Sequence, residues 1–143
     1  MFIGEYHYLI DNKNRISIPV KFRRHFKKGA VLTKGIDTCL SLYPLEVWRK
    51  VAQRLVELPT NRAKSRTFIR LMLAGAMDVK LDGQGRIILP DYLKKYAGLR
   101  KKIVIGGLYN KLEIWDEAKW ETYKKRSEAS SADIAETLEG IEI

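Results

Sequence analysis

The chain of 143 residues is 45% hydrophobic and 31% charged, and its 27 Lys and Arg against 17 Asp and Glu give a formal net charge of +10. That balance suits one domain or two small ones, and no run approaches the ~18 to 20 apolar residues of a membrane-spanning helix. A single cysteine, Cys39, excludes an intrachain disulfide framework and a cysteine-rich zinc site.

Tyr6 to Ile10 is the first β-prone run. In the turn after it, Asp11 is placed to accept backbone N–H bonds, and Asn14 is a residue type that tolerates positive φ. A short strand follows, with Ile16 and Ile18 pointing one way and Arg15 the other. Pro19 stands where a helix begins, Phe22 and Phe26 face the core at i, i+4, and Gly29 is a C-terminal cap. Val31 to Thr33 and Leu40 to Tyr43 form a hairpin, with Cys39 as a buried strand residue. Pro44 opens a helix striped by Leu45, Trp48, Val51, Ala52 and Leu55. Asn61 to Ala76 reads as another helix, with Phe68, Ile69, Met72, Leu73 and Ala76 on one side.

From there the pattern repeats. Asp11-Asn12-Lys13-Asn14-Arg15-Ile16-Ser17-Ile18-Pro19 returns as Asp82-Gly83-Gln84-Gly85-Arg86-Ile87-Ile88-Leu89-Pro90, a shift of 71. Leu40 to Tyr43 corresponds to Leu112 to Trp115, and Trp48 to Trp120, a shift of 72. Met77 to Leu81 matches the first strand, Gly85 takes the place of Asn14, and Leu93 and Ala97 precede Gly98. Ile103 to Ile105 begins the second hairpin, Gly106-Gly107 falls in its loop, and Asp116 opens a helix. Ser127 to Ile143 is expected to be a short helix or a disordered tail. Each half spans only ~45 to 70 residues, too few for a robust core of its own. The halves are therefore expected to share one core, strands of one completing the sheet of the other.

Charge follows the repeat. Residues 1–126 hold all 27 cations against 12 acids, a net of +15, and the remaining acids make the tail −5. A basic body of this kind attracts polyanions, nucleic acid foremost.

The doubled Asp-x-x-x-Arg motif, each copy followed by an aliphatic strand and Pro, resembles the MraZ family within the AbrB-like swapped-hairpin proteins. The opening Met-Phe-Ile-Gly-Glu-Tyr-His-Tyr-Leu-Ile-Asp is similar to that family's as well. The resemblance covers roughly residues 1–125. It implies an α+β fold with a β-rich core, in which two tandem swapped-hairpin halves share one split β-barrel with flanking helices. It also implies a transcriptional regulator that binds DNA upstream of the division and cell-wall gene cluster and assembles into a ring of subunits. Two positions depart from the pattern: Asn14 stands where the family commonly has Gly, and Ile88 replaces the small polar residue found at Ser17. The divisions expected are 5–47 for the first half, 48–75 for linker helices, 76–119 for the second half and 120–143 for a C-terminal helix and acidic tail.

The residues point to the same chemistry. Arginine suits bidentate contact with phosphate or with guanine O6 and N7. Turns capped by Asp11 and Asn14, and by Asp82 and Gly85, would present Arg15 and Arg86, with Lys13 and Gln84 reaching the same groove. Lys21, Arg23, Arg24, Lys94 and Lys95 would add phosphate contacts that set register without reading sequence. The competing reading of each Asp-x-x-x-Arg is a local ion pair that braces the turn. The expected partners are double-stranded DNA and further copies of the chain in a ring-like homo-oligomer, with no membrane. The alternative function is an AbrB-like protein-interaction scaffold or antitoxin-type module. RNA is a weaker option, because neither an aromatic RNP platform nor a Gly-x-x-Gly clamp is present. No catalytic residues, metal or cofactor are expected: the glycines of Asp82 to Arg86 lack the Gly-Lys-Ser/Thr of a phosphate-binding loop, and His7 and His25 have no nucleophile beside them. The N-terminus lacks the basic and apolar regions of a signal peptide, so the expected location is the cytoplasm, on the nucleoid.

Overall fold

In the computed structural model, which describes residues 1–140, the first strand of each half pairs with the hairpin of the other half. Strand β1 (Phe2–Leu9) gives way, after a turn, to β2 (Arg15–Ser17) and a 3-10 helix (Val20–Phe26). The first hairpin is β3 (Ala30–Lys34) and β4 (Leu40–Pro44), and helices α1 (Leu45–Val56) and α2 (Ala63–Ile69) follow it. The second half repeats the order as β5 (Met77–Val79), β6 (Arg86–Ile88), α3 (Asp91–Tyr96), β7 (Lys102–Tyr109) and β8 (Leu112–Asp116). Helices α4 (Glu117–Ala129) and α5 (Ser131–Thr137) close the described chain.

The main sheet is antiparallel, in the order β1-β7-β8-β4-β3-β5, so β1 pairs with the second hairpin and β5 with the first. The hairpins meet along β4 and β8, with Ser41 opposite Glu113. Strands β2 and β6 form a separate two-stranded ribbon, with Ile16 opposite Ile87. Both opposed pairs join equivalent positions of the repeat, so the sequence duplication appears in space as a pseudo-two-fold arrangement. Sheet and ribbon enclose one core that draws on both halves: Ile16, Ile18, Leu32, Leu40 and Leu42 from the first, Ile87, Leu89, Leu93, Ile103, Ile105, Leu112 and Ile114 from the second. The α+β class and the shared core follow the sequence reading, and among the described residues the sheet does not close into a full barrel.

Several local expectations change. The segment after Pro19 winds as a 3-10 helix, and Pro19, Pro44 and Pro90 each sit immediately before the first helical residue rather than within the helix. Phe22 and Phe26 are nonetheless buried against Phe2, Phe22 edge-on at 5.0 Å and Phe26 stacked at 5.4 Å between ring centroids. The helix expected over Asn61 to Ala76 starts at Ala63 and turns into a π-helix over Arg70–Ala74. There Thr33, buried in β3, donates its hydroxyl to the Met72 carbonyl at 2.8 Å.

Gly106-Gly107 lies inside β7, not in the hairpin loop; the reversal falls at Tyr109 and Asn110, with Tyr109 at a φ of 65°. A Cβ at Gly107 would meet the backbone N of Ile3 at 2.5 Å, so glycine at 107 permits the close approach of β1. Cys39 is buried as expected, but it precedes β4, and burial beside Glu113 pushes its thiol up to about 12. The tail reading resolves into the end of α4 and α5, and its last residues, 141–143, lie outside the described residues. The aromatic match of the repeat persists: Tyr43 packs on Trp48 at 5.5 Å and Trp115 on Trp120 at 5.4 Å.

Candidate nucleic-acid interface

Each Asp-x-x-x-Arg turn is closed by the same set of hydrogen bonds. Asp11 Oδ1 accepts the backbone N–H of Lys13 at 2.9 Å and of Arg15 at 2.8 Å. Asp82 Oδ1 accepts those of Gln84 at 2.9 Å and Arg86 at 3.0 Å. Asn14 donates its backbone N–H to the Asp11 carbonyl at 3.1 Å, and Gly85 does the same to Asp82 at 3.0 Å. This geometry needs a left-handed residue at the fourth position, and Asn14 (φ 57°) and Gly85 (φ 75°) supply it. The substitution of Asn for Gly is therefore tolerated in conformation.

The second carboxylate oxygen of each aspartate accepts from its arginine. Arg15 Nε lies 2.7 Å from Asp11 Oδ2 and Arg86 Nε 2.8 Å from Asp82 Oδ2. The turn-bracing ion pairs are thus present in both copies. Each uses only the Nε edge of the guanidinium, and among the described residues the Nη atoms of Arg15 and Arg86 make no hydrogen bond. The aspartate orients the fork and leaves its outer edge for another partner.

Orientation follows from the ribbon. Ile16 and Ile87 point into the core, so their neighbours Arg15, Ser17, Arg86 and Ile88 share the opposite face. Register puts Arg15 opposite Ile88 and Arg86 opposite Ser17, which makes the two arginines diagonal neighbours, about 7–8 Å apart at the backbone. Ile88 is 65% exposed, a large apolar side chain left in solvent beside Arg15.

The two halves brace each other's turns. Ile18 donates its backbone N–H to the Gly85 carbonyl at 2.9 Å, and Leu89 donates to the Asn14 carbonyl at 2.8 Å. Arg23 donates Nε to the Ile18 carbonyl at 2.8 Å and lies over Gly85, where a Cβ would collide with the guanidinium. Lys94, the repeat equivalent of Arg23, donates Nζ to Asn14 Oδ1 at 2.8 Å. The remaining sequence candidates are dispersed. Arg24 and Lys13 are exposed near the turns, as is Gln84. Lys21 lies over the Tyr6 and Phe22 rings at 5.1 and 5.3 Å, and Lys95 pairs with Asp91 at 3.0 Å.

The structure also forms a cluster that the sequence reading did not anticipate. His7 lies 3.1 Å from both Glu5 and Glu117, Lys124 pairs with Glu5 at 3.3 Å, and Glu121 lies close by. Against the opposing effect of burial, His7 and Lys124 hold the Glu5 carboxyl below its ordinary range, while the buried Trp120 Nε1 has no hydrogen-bond partner among the described residues. These partners come from β1 and α4, more than a hundred residues apart, so no local motif announces them.

Bonds from the backbone N–H of Arg15, together with its guanidinium, hold the Asp11 carboxyl below its ordinary range, and Arg86 does the same for Asp82. A carboxylate whose folded-state pKa is depressed stabilises the fold above its unfolded value, ~4, and loses that contribution as pH falls through the lower folded value. The turns are expected to hold above ~4 and to loosen as the pH falls below it, through the depressed folded-state range. The Arg15 and Arg86 Nε–H resonances measured by NMR should broaden together over this window. An Asp11→Asn chain should lose that pH response at the first turn alone.

The family model described as "MraZ protein, putative antitoxin-like" matches the chain twice, over residues 1–71 and 72–140. The chain belongs to the MraZ family. A protein of Moorella thermoacetica named transcriptional regulator MraZ is 41% identical over 143 residues, 100% of both chains. Proteins of the same name from Pediococcus pentosaceus and Clostridium tetani are 44% identical over 138 residues and 46% over 123 residues. The former alignment covers 96% of each chain, the latter 86% of this chain and 87% of the relative. The two MraZ matches divide the chain at the shift of the internal repeat, so each contains one Asp-x-x-x-Arg turn. None of the described helices is long and apolar enough to cross a membrane.

Proposed function

We propose that this chain is a transcriptional regulator that reads double-stranded DNA with the β2–β6 ribbon. The observation that carries the reading is the pair Arg15 and Arg86 on the outward face of the ribbon, each held by an aspartate through Nε and with no partner on its Nη atoms among the described residues. The major groove admits a two-stranded ribbon, and a guanidinium fork matches guanine O6 and N7 or a phosphate. Lys13 and Gln84, in the two turns, are placed to extend the contact, and Lys21, Arg23, Arg24, Lys94 and Lys95 supply the basic surroundings. Ser17 and Ile88 make the two ends of the ribbon chemically unequal, since a hydroxyl bonds to several base edges while an alkyl group suits a thymine methyl.

One ribbon covers few base pairs, so useful specificity comes from linking several copies on repeated boxes, as a ring-like homo-oligomer. The amphipathic helix α1 gives such an assembly an apolar surface, in which Leu55 is buried, Trp48 and Val51 are half-buried and Val56 is exposed. In this reading the chain works in the cytoplasm on the nucleoid, upstream of the division and cell-wall gene cluster. Its working parts are the halves 5–47 and 76–119, the linker helices 48–75 and the C-terminal segment 120–143. The relatives named transcriptional regulator MraZ support a regulatory rather than an enzymatic role.

Unbiased selection from a random duplex library on the purified full-length protein tests this. A short motif recurring at regular spacing is the expected result. Uniform recovery of unrelated sequences, together with a stoichiometric protein partner on purification, would instead favour the interaction-scaffold reading.

A further inference from the structure

Two clefts flank the ribbon, one at each end. The first, about 490 Å³, opens between the turn of the second half, at Asp82 and Gly83, and the basic 3-10 helix of the first half. Arg23, Arg24, Lys27 and Lys80 line it. The second, about 510 Å³, opens between the turn of the first half, at Asp11 and Asn12, and Lys94, Arg100 and Lys101 of the second half. At the repeat shift of 71, Asp82 is equivalent to Asp11, Gly83 to Asn12 and Arg23 to Lys94, so the clefts are pseudo-symmetric copies of one feature. The acid in each is the turn aspartate, already held by Arg86 or Arg15. A concave site lined by cations with its carboxylate engaged concentrates positive field and draws an anion.

We propose that these clefts are a matched pair of phosphodiester sites that seat the DNA backbone at the two ends of the ribbon. The inference rests on the DNA reading above and adds residues outside the motif, Lys27, Lys80 and Lys101, as backbone contacts. The pair is unequal. Among the described residues Arg24, Lys27 and Lys80 of the first cleft make no ion pair, whereas Arg100 of the second is paired with Asp116 at 3.4 Å. Repeat position 80 is Lys in the first cleft, while its equivalent in the second is the apolar Leu9. The first cleft therefore grips harder and adds to the direction that the unequal ribbon ends, at Ser17 and Ile88, already give a single subunit on DNA.

The test measures affinity by fluorescence anisotropy from about 50 to about 300 mM salt, on a duplex carrying the selected box and on a scrambled duplex of equal length. Each phosphate contact contributes about 0.9 to the slope of log affinity against log salt. The K27Q/K80Q chain should lose about 1.8 from that slope, and K101Q about 0.9, on both duplexes alike. Preference for the selected box over the scrambled one should survive, because backbone contacts carry no sequence information. Lys27, Lys80 and Lys101 are all exposed, so folding is not at stake in these variants. Wild-type protein that binds duplex while K27Q/K80Q keeps the full slope overturns the clefts and leaves the DNA reading standing. Wild-type protein that binds neither duplex overturns the DNA reading itself. Tight binding of inorganic pyrophosphate, lost in K27Q/K80Q with no change in the DNA slope, assigns the clefts to a small anion and overturns the backbone role.

Discussion

Arg15→Ala and Arg86→Ala are each expected to weaken binding to a selected box by about 5- to 150-fold, the equivalent of about 1–3 kcal/mol for a lost bidentate contact. Folding should be little affected. Each arginine braces its turn with one ion pair, but the aspartate also accepts two backbone N–H bonds that the substitution leaves intact. Solvent screens a surface pair of this kind, so its loss costs the fold little. Arg15→Lys separates charge from shape: lysine keeps the phosphate attraction but cannot reproduce the planar fork, so discrimination between boxes should fall while salt dependence persists. Anisotropy at fixed salt, with thermal unfolding alongside, checks all three variants. Wild-type affinity in both alanine variants would remove these arginines from the interface.

The larger structural effect is expected at the centre of the ribbon. Ile16 is 1% exposed and Ile87 fully buried, and they face each other across the pseudo-two-fold axis in one core. Ile16→Ala and Ile87→Ala should each destabilise the protein by about 2–5 kcal/mol through lost burial and the cavity left behind. Since β1 pairs with β7 and β5 with β3, neither half has a complete sheet alone. Both variants should therefore unfold in one transition of lowered midpoint in urea, followed by circular dichroism. Two resolved transitions, one for each half, would contradict a shared core. In contact across the ribbon, the two sites should also couple, so the double variant should lose less or more than the sum of the singles.

The turn chemistry was legible because it is local. An aspartate that caps its own turn, a fourth residue able to hold positive φ, and an arginine four positions on are all properties of a five-residue window, and both copies of the turn have them. The alternation that sends Ile16 and Ile87 inward and Arg15 and Arg86 outward is equally local. Less was readable where local preference met tertiary demand. Gly106-Gly107 suggests a turn by composition, yet the approach of β1 draws that pair into a strand.

By itself, then, the sequence determined the duplication, the two capped turns and the face of the ribbon each arginine occupies, since all of these follow from neighbouring residues and strand period. Only the tertiary structure decided which half serves which turn. Arg23 covers Gly85, and Lys94 reaches Asn14 across 80 residues of chain, because the exchanged strands carry each basic helix to the opposite turn. The net charge of +10 is a property of composition, but its concentration into two clefts at the ribbon ends depends on that exchange.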